Sequence, residues 1–250
     1  MLEGWVYALA ALGALLAGIS KGGFGGSLGF ASSAILAVVV EPGVALALML
    51  PVLMAIDVAA VRAFWGRWDA PSAQAILLGA LPGLALGALL FHVVSSDGIR
   101  VLIGLLAVGF PLFRLALARG WIGPRAGGFD RRKGWIAGTG VGFTSFVAHA
   151  GGPPFAMFML GQGGIDKTRY HATSVIVFWV VNALKAGIYT WMGLFTWSLL
   201  GASATLIPVA LLGAWIGMRA HKAIPDRVFF AVAYTALVLT GLKLLWDGLT

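Results

Sequence analysis

Two glycine-rich breaks interrupt long apolar stretches of this chain, and they lie at corresponding points of its two halves. The first is Lys-Gly-Gly-Phe-Gly-Gly at 21–26, and the second is His-Ala-Gly-Gly-Pro-Pro at 149–154. Inside a bilayer, an unpaired backbone amide or carbonyl is so unfavourable that non-helical chain is tolerated only beside protein or a water-filled cavity. Paired breaks of this kind are typical of the binding site of a membrane transporter.

The composition is that of a polytopic membrane protein. The 250 residues are 60% hydrophobic and 10% charged, with a mean hydropathy of +0.96, whereas soluble domains have about 25% charged residues. Since about 20 apolar residues cross the hydrocarbon, six segments are predicted to span it: 44–64, 72–94, 99–117, 170–191, 197–218 and 228–246. Four further apolar pieces are 2–20, 24–40, 135–148 and 154–162, of which the last two are too short to cross.

The N-terminal apolar piece is expected to belong to the fold. It contains Glu3, lacks the basic start of a secretory signal and continues into the first glycine break. The chain has no cysteine, which excludes a disulfide, a thiolate nucleophile and a cysteine-ligated metal.

Positive charge is concentrated in four connections between the apolar segments: 62–67, 114–133, 167–169 and 219–227. The connections at 41–43, 95–98 and 192–196 have almost none. The positive-inside rule predicts that the first set is cytoplasmic and the second set is outside, which places both termini on the outer side of the cell inner membrane. Orientation thereby accounts for the formal net charge of +8 without a nucleic-acid partner.

The two halves are predicted to form an inverted repeat. Pro82 and Gly87 recur as Pro208 and Gly213, 126 residues later, and the two breaks are 128 residues apart; chance recurrence is the alternative. The predicted fold class is an all-α polytopic membrane protein in which each half is a glycine-broken helical hairpin plus three transmembrane helices. The predicted units are repeat 1 at 1–118 with an outer-side hairpin, a basic cytoplasmic linker at 119–133, and repeat 2 at 134–250 with an inner-side hairpin.

The breaks offer a binding site for a small anion. A helix that begins after a glycine-rich turn presents free amides and a positive dipole end. Lys21 and His149 stand directly before the two glycine runs. Lys21 is interpreted either as the residue that attracts the anion or as a permanent partner of Asp57. His149 is interpreted either as the carrier of a coupling proton or as a neutral ring that bonds the broken backbone.

One face of the segment 170–191 is predicted to line the site. Ser174 and Asn182, with the neighbouring Thr173, are expected near it because polar residues inside a membrane face a bundle interior or a cavity. Lys185 is predicted to extend toward the outer interface, and a direct pair between Asp57 and Lys185 is not expected. The predicted face consists of Ser174, Phe178, Asn182, Lys185 and Tyr189.

The predicted substrate-binding residues share either a glycine break or that polar face. They are Lys21, Gly22, Gly23, Gly25, Gly26, Ser27, Ser145, His149, Gly151, Gly152, Thr173, Ser174 and Asn182. His149 and Asp57 are the candidates for carrying a coupling proton. His171 and His221 lack metal-ligand spacing and are expected to be solvated. We expect no cofactor, no metal site and no enzymatic activity, because no nucleophile–base pair and no Walker A motif is present.

The chain resembles the sulfite exporter TauE/SafE family of bacterial membrane proteins. The resemblance rests on Lys-Gly-Gly-Phe-Gly-Gly-Ser at 21–27, the basic linker, and the Gly-Gly-Pro break followed by His-Ala-Thr-Ser at 171–174. It extends over nearly the whole chain. The second break, with Pro153 and Pro154, departs from the more glycine-rich form common in the family.

This resemblance implies a secondary transporter that moves a small sulfur oxyanion, sulfite by export, through alternating access with proton coupling. The alternatives are an importer of sulfonates or other sulfur compounds, a passive anion channel, and a non-transporting scaffold. The expected partners are the anionic substrate and the lipid bilayer. A homodimer is compatible with the sequence, which does not require one.

Overall fold

The computed structural model describes residues 3–23, 29–123, 127–220 and 226–250, without the side chains of 23, 220 and 226–229. Within these ranges there are ten α-helices and no strand. They are α1 (Gly4–Gly23), α2 (Gly29–Ala37), α3 (Pro42–Ala63), α4 (Ala70–Val93), α5 (Ser96–Ala118), α6 (Arg131–Ala148), α7 (Gly152–Gly161), α8 (Lys167–Trp191), α9 (Trp197–Ala220) and α10 (Asp226–Leu249).

Seven of these described helices are long and apolar enough to cross a membrane. Six of them, α3, α4, α5, α8, α9 and α10, correspond to the six predicted spans, and α1 is the seventh. The shorter helices α2 and α7 lie in the second arms of the two hairpins. The prediction of an all-helical polytopic membrane protein is therefore confirmed, while the inverted repeat stays a prediction.

Helix α2 is shorter than the apolar piece 24–40 suggested. It ends at Ala37, and the amides of Val39 and Val40 both donate to the Leu36 carbonyl in a turn. Proline disfavours a helical conformation in the residue before it, and Glu41, directly before Pro42, is extended with φ −58° and ψ 140°. The chain therefore leaves α2 early and restarts as α3.

Aspartate N-caps begin three of the helices at the end of the bundle that carries most of the arginines and lysines, hereafter the basic end. Asp69 accepts from Ser72 in α4, Asp130 from Arg132 in α6, and Asp166 from Thr168 in α8. Each carboxylate satisfies an amide that the helix leaves unpaired. The remaining residues named here are Thr168, Ser72 and Arg132, whose amides are the donors.

Glycines bring two helix pairs into backbone contact across the halves. Helix α1 packs against α9, and a Cβ on Gly22 would lie 2.1 Å from the Ala214 carbonyl oxygen. Helix α6 packs against α4, where a Cβ on Gly83 would lie 2.1 Å from the Thr139 carbonyl oxygen. Small residues allow such close approach in membranes, where packing drives association of the helices.

Helix α3 forms the centre of the bundle. It packs against α8 and α9, and all the residues from 45 to 50 are fully buried. The outer helices instead expose large apolar side chains, as a lipid-facing surface requires. Examples are Leu81, Leu86 and Leu89 on α4, Leu105 and Leu112 on α5, and Leu239 and Leu242 on α10.

Candidate functional site

The second hairpin turns at His149, which adopts a left-handed backbone conformation with φ 56°. It caps α6, since its amide donates to the Ser145 carbonyl at 2.9 Å and the Ala150 amide donates to the Thr144 carbonyl at 3.0 Å. Among the described non-glycine residues, only His149 has a positive φ. A side chain held in this sparsely populated region is strained, and such strain is common at functional sites.

The His149 ring joins the hairpin to two other helices. Its Nε2 lies 3.1 Å from the Leu46 carbonyl oxygen of α3, and its Nδ1 contacts Lys185 Nζ of α8. A carbonyl oxygen can only accept, so Nε2 must carry a proton. In the neutral ring Nδ1 is therefore the acceptor, and Lys185 donates to it.

Lys185 is fully buried, so the prediction that it extends toward the interface is wrong. Its ammonium also donates to the Ser145 carbonyl at 2.9 Å and to Asn182 Oδ1 at 3.1 Å, with Ser145 Oγ at 3.2 Å. The broken end of α6 supplies these acceptors on the inner face of α8. Lys185 points inward because its hydrogen-bond partners are there.

The first half contains a second buried pair, formed by Lys21 and Asp57. Asp57 is 3% exposed and lies on α3. Lys21 lies in the last turn of α1, which continues to Gly23, so the predicted break at 21–26 does not begin at Lys21. Of the two interpretations of Lys21, the structure shows the pairing with Asp57.

Asn182 connects the two pairs. Its Nδ2 donates to Asp57 Oδ2 at 2.7 Å, and its Oδ1 accepts from Lys185. Within the described part of the chain, Asp57 and Lys185 form no direct ion pair, as expected. The side chains thus form a chain of contacts from Lys21 to His149.

A cavity adjoins this polar chain. It extends from Arg114, Tyr170 and His171, toward the basic end, to Ser145 and His149 at the broken end of α6. Lys185 and Tyr189, farther along α8, are fully buried. Aromatic side chains form much of the remaining wall: Phe30, Phe110, Phe113, Phe155 and Phe178.

Helix α7 begins at the cavity with few free amides. The first four N–H groups of a helix lack intrahelical partners, but Pro153 and Pro154 have no N–H. Gly151 and Gly152 therefore supply the available amides at this end. Gly152 lines the cavity with open space around its Cβ position, whereas a Cβ on Gly151 would meet Phe178 at 2.8 Å.

The structure brings together part of the predicted substrate-binding set. The cavity lining includes Lys21, Ser145, His149, Gly152, Ser174 and Asn182, together with the proton-carrier candidate Asp57. The residues that fall on the masked part of the first break are Gly25, Gly26 and Ser27, which lie outside the described residues, while Gly23 is the last residue of α1.

Two predicted residues have other contacts. Gly22 faces α9, where it packs against Ala214. Thr173 accepts from the Asp69 amide at 2.9 Å and donates to the Arg169 carbonyl at 2.7 Å, so it ties α8 to the start of α4.

Sequence reasoning missed the far end of the cavity. Arg114 lines it and donates from Nε to the Tyr234 hydroxyl at 3.2 Å. His171 was expected to be solvated, but it is half-buried and packs edge-on to Phe64 at 4.7 Å between ring centroids. His221 lies outside the described residues.

A signal for the second pair is present in the sequence. Lys21 and Asp57 are 36 residues apart, and so are His149 and Lys185. Combined with the 128-residue offset between the breaks, this spacing makes Lys185 the counterpart of Asp57.

Comparison with known proteins gives a family. The sequence model of the family described as sulfite exporter TauE/SafE matches residues 10–244, nearly the whole chain. No curated protein and no solved structure gives a match. The glycine-broken hairpins, the apolar spans and this match lead to one conclusion: the chain belongs to the sulfite exporter TauE/SafE family, membrane transporters of sulfur compounds.

Proposed function

We propose that this protein is a secondary transporter that carries a small sulfur oxyanion, with sulfite export as its physiological role. The observation that carries this proposal is an excess of positive charge at the polar end of the cavity. Counting only described residues, Lys21 and Lys185 are balanced there by one carboxylate, Asp57. Buried charges need partners, and an anion in the cavity would supply the missing one.

The candidate contacts to the anion come from both sides of the chain of polar side chains. Ser145, Ser174 and Asn182 offer hydroxyl or amide groups, and Gly152 offers a backbone amide. Lys21 and His149 also reach the cavity. The predicted contributions of Gly23, Gly25, Gly26 and Ser27 belong to the same proposal. Asp57 and His149 remain the proposed proton carriers.

Alternating access is supported by exchanged helix pairings between the halves. Helix α1 of the first half packs on α9, while its counterpart α6 packs on α4, the counterpart of α9. This exchange and the equal spacing of the two buried pairs support the inverted repeat 1–118 and 134–250. Rocking of such repeats around a central site is the usual transport motion.

The shape of the cavity supports an inward-facing state. Its lining reaches Arg114 and His171 toward the basic end, which the positive-inside rule places in the cytoplasm. Toward the other end, Phe146 and Tyr189 are fully buried and pack edge-on at 5.1 Å between ring centroids. A passive channel would need a path through this aromatic pair, so a carrier fits the geometry better.

An organosulfonate is a second candidate substrate. The aromatic wall made by Phe113, Phe155 and Phe178 has no role in binding a fully hydrophilic ion. A sulfonate would place its charged group at the polar end and its carbon chain against these rings. Transport of such a compound in the inward direction is the corresponding alternative.

Counterflow of radiolabelled sulfite in proteoliposomes tests the function, with sulfate, thiosulfate and taurine as competitors. We expect accumulation of label driven by unlabelled sulfite. Gly152→Leu should abolish it, because the new side chain enters the cavity. Gly187→Leu is the matched control, since Gly187 is exposed on α8 with open space at its Cβ position.

Two results would contradict the proposal. Flux that survives Gly152→Leu would exclude this cavity as the pathway. Rapid uptake without exchange would indicate a channel. If taurine or another sulfonate drives counterflow and sulfite does not, the second candidate substrate replaces the first.

A further inference from the structure

The two buried pairs have equal spacing along the chain but different charge. Lys21 and Asp57 form an ion pair whose charges cancel. Lys185 and His149 form a pair without a carboxylate. The positive excess at the cavity therefore belongs to the second pair.

Hydrogen-bond geometry fixes the number of protons on this second pair. His149 Nε2 already carries a proton for the Leu46 carbonyl. One further proton satisfies the contact between Nδ1 and Nζ, either on Lys185 as an ammonium or on His149 as an imidazolium facing a neutral amine. Both arrangements have a charge of +1.

Other proton counts conflict with the surroundings. With one more proton, two cationic donors would face each other between Nζ and Nδ1. With one fewer, the lone pair of the Lys185 amine would meet acceptors, because the Ser145 carbonyl, Asn182 Oδ1 and His149 Nδ1 surround Nζ. The observed arrangement therefore corresponds to one shared proton.

The charged groups around the pair come from several helices. Lys21 lies on α1, Asp57 on α3, and Arg114 and His171 lie farther along the cavity on α5 and α8. Asp57 is the only carboxylate among the described residues that line the cavity, and it is engaged by Lys21. It reaches Lys185 only through Asn182. The shared proton therefore has no direct counter-ion.

The cavity gives an anion access to this charge. Lys185 itself is fully buried, but three of the residues around its ammonium, Ser145, His149 and Asn182, line the cavity. An anion at their surface would lie close to the shared positive charge without touching Lys185. Lys185 therefore acts on a bound anion through its partners, as a positioning residue.

We propose that Lys185 and His149 share one proton that binds cooperatively with the substrate anion, so that the two are carried together. This inference rests on the proposed function, since it takes the ligand to be an anion in this cavity. Thermodynamic linkage requires the effect to be reciprocal: the proton strengthens anion binding by the factor by which the anion strengthens proton binding. Coupling free energies between sites typically correspond to about 5–150-fold.

The shared proton can be tested without any substrate, by nitrogen NMR of the histidine rings in purified protein. The His149 signal is assigned by its loss in His149→Gln. In the wild type, the ring should keep one protonation form between about pH 5 and 8, where a free histidine titrates. In Lys185→Met, the ring should lose its partner and change form in this range or below it.

A wild-type His149 ring with the same pH dependence as in Lys185→Met would overturn the shared proton. Lys185→Gln, which keeps a hydrogen-bond donor but no charge, is the second variant if Lys185→Met does not fold. Either variant must elute as a monodisperse species before it is used.

The linkage to the anion is tested by the affinity for methanesulfonate, a monoanion that does not titrate near neutral pH. Lys185→Met should weaken its binding by about 5–150-fold and flatten the pH profile. Lys243→Met is the control, because Lys243 is exposed on α10 and pairs with Asp247. Equal affinity and pH profile in Lys185→Met and the wild type would overturn the linkage.

The two measurements separate the two proposals. If the wild type shows the shared proton but binds neither methanesulfonate nor sulfite, the proposed function fails and the cooperative linkage fails with it. If anions bind but the His149 ring titrates freely, transport stands and the shared proton is overturned.

Discussion

The two halves of the protein hold buried polar pairs at matching positions, yet the pairs differ in chemistry. In the first half, a lysine on the hairpin meets a carboxylate on α3. In the second half, a histidine on the hairpin meets a lysine on α8. Equivalent positions thus carry a neutral pair in one half and a cationic pair in the other. A repeated scaffold can therefore give a charged site whose two sides have separate roles.

The strongest test of this difference compares Asp57→Ala with Lys185→Met. Asp57→Ala leaves the Lys21 ammonium without its counter-ion and Asn182 Nδ2 without an acceptor. Removing one partner of a buried ion pair is expected to destabilise the fold by about 3–5 kcal/mol. Because the Lys21 side chain is 14% exposed, we expect the lower end of this range, measured by unfolding in mixed micelles.

Lys185→Met should destabilise the protein less, by about 1–3 kcal/mol, because it leaves unpaired acceptors but no unpaired charge. The double variant Lys21→Met with Asp57→Ala is the control and should recover part of the stability lost in Asp57→Ala. The difference between the pairs would be refuted if Lys185→Met were the more destabilising single change.

Close packing at glycines gives the next largest effect and compares the helix pairs of the two halves. Gly22→Ala and Gly83→Ala each place a Cβ 2.1 Å from a backbone carbonyl oxygen. Both should lower stability by about 1–3 kcal/mol, since the helices must separate. Thermal unfolding in detergent would measure the change.

Matched controls for these variants are Gly109→Ala in α5 and Gly201→Ala in α9. Neither position has an atom within 4 Å of a Cβ, and alanine favours a helix over glycine by about 0.5–1 kcal/mol. If the controls were as destabilising as Gly22→Ala and Gly83→Ala, backbone contact would not be the reason.

The link between the two pairs is tested by Asn182→Ala. This change removes the amide that joins Asp57 Oδ2 to Lys185, and we expect a loss of about 1–2 kcal/mol in stability. A double-mutant cycle between Asp57→Asn and Lys185→Met should show coupling of at least about 0.5 kcal/mol in the wild-type background. Coupling that persists in Asn182→Ala would show that the pairs communicate by another route.

Tyr189→Phe gives the smallest expected effect. The Tyr189 hydroxyl donates to the Phe146 carbonyl at 2.8 Å, near the end of α6. Val61 stands at the position 128 residues earlier, so the first half has no such hydroxyl there. Loss of this bond should destabilise the protein by about 1 kcal/mol, seen as faster amide exchange at the end of α6. Unchanged exchange at that position would show that the bond does not hold the second hairpin.

Much of the fold was predictable from the sequence, because a bilayer imposes a simple requirement on the chain. Continuous apolar stretches must become helices, and all six predicted spans do so. The break at 149–154 was also predictable, since glycine and two prolines interrupt a helix there. The true end of α2 was missed because the effect of Pro42 on the preceding residues was not considered.

The site was predicted less completely, and Lys185 shows why. A lysine two turns from a helix end can extend to the membrane surface, and nothing in local sequence decides against it. The inward orientation depends on Ser145 and His149, which lie about 40 residues away in the chain. Thr173 and Gly22 illustrate the reverse case, in which a plausible ligand residue has a packing partner instead.

The sequence by itself determined the membrane-spanning helical architecture, the positions of the breaks and the family, because hydropathy and glycine patterns act locally along the chain. Only the tertiary structure decided which buried charges meet, that Lys21 is neutralised by Asp57 and that Lys185 is held by His149 and Ser145. These pairings depend on the orientation of four helices around α3. In a medium of low dielectric constant, that orientation determines where the excess positive charge lies.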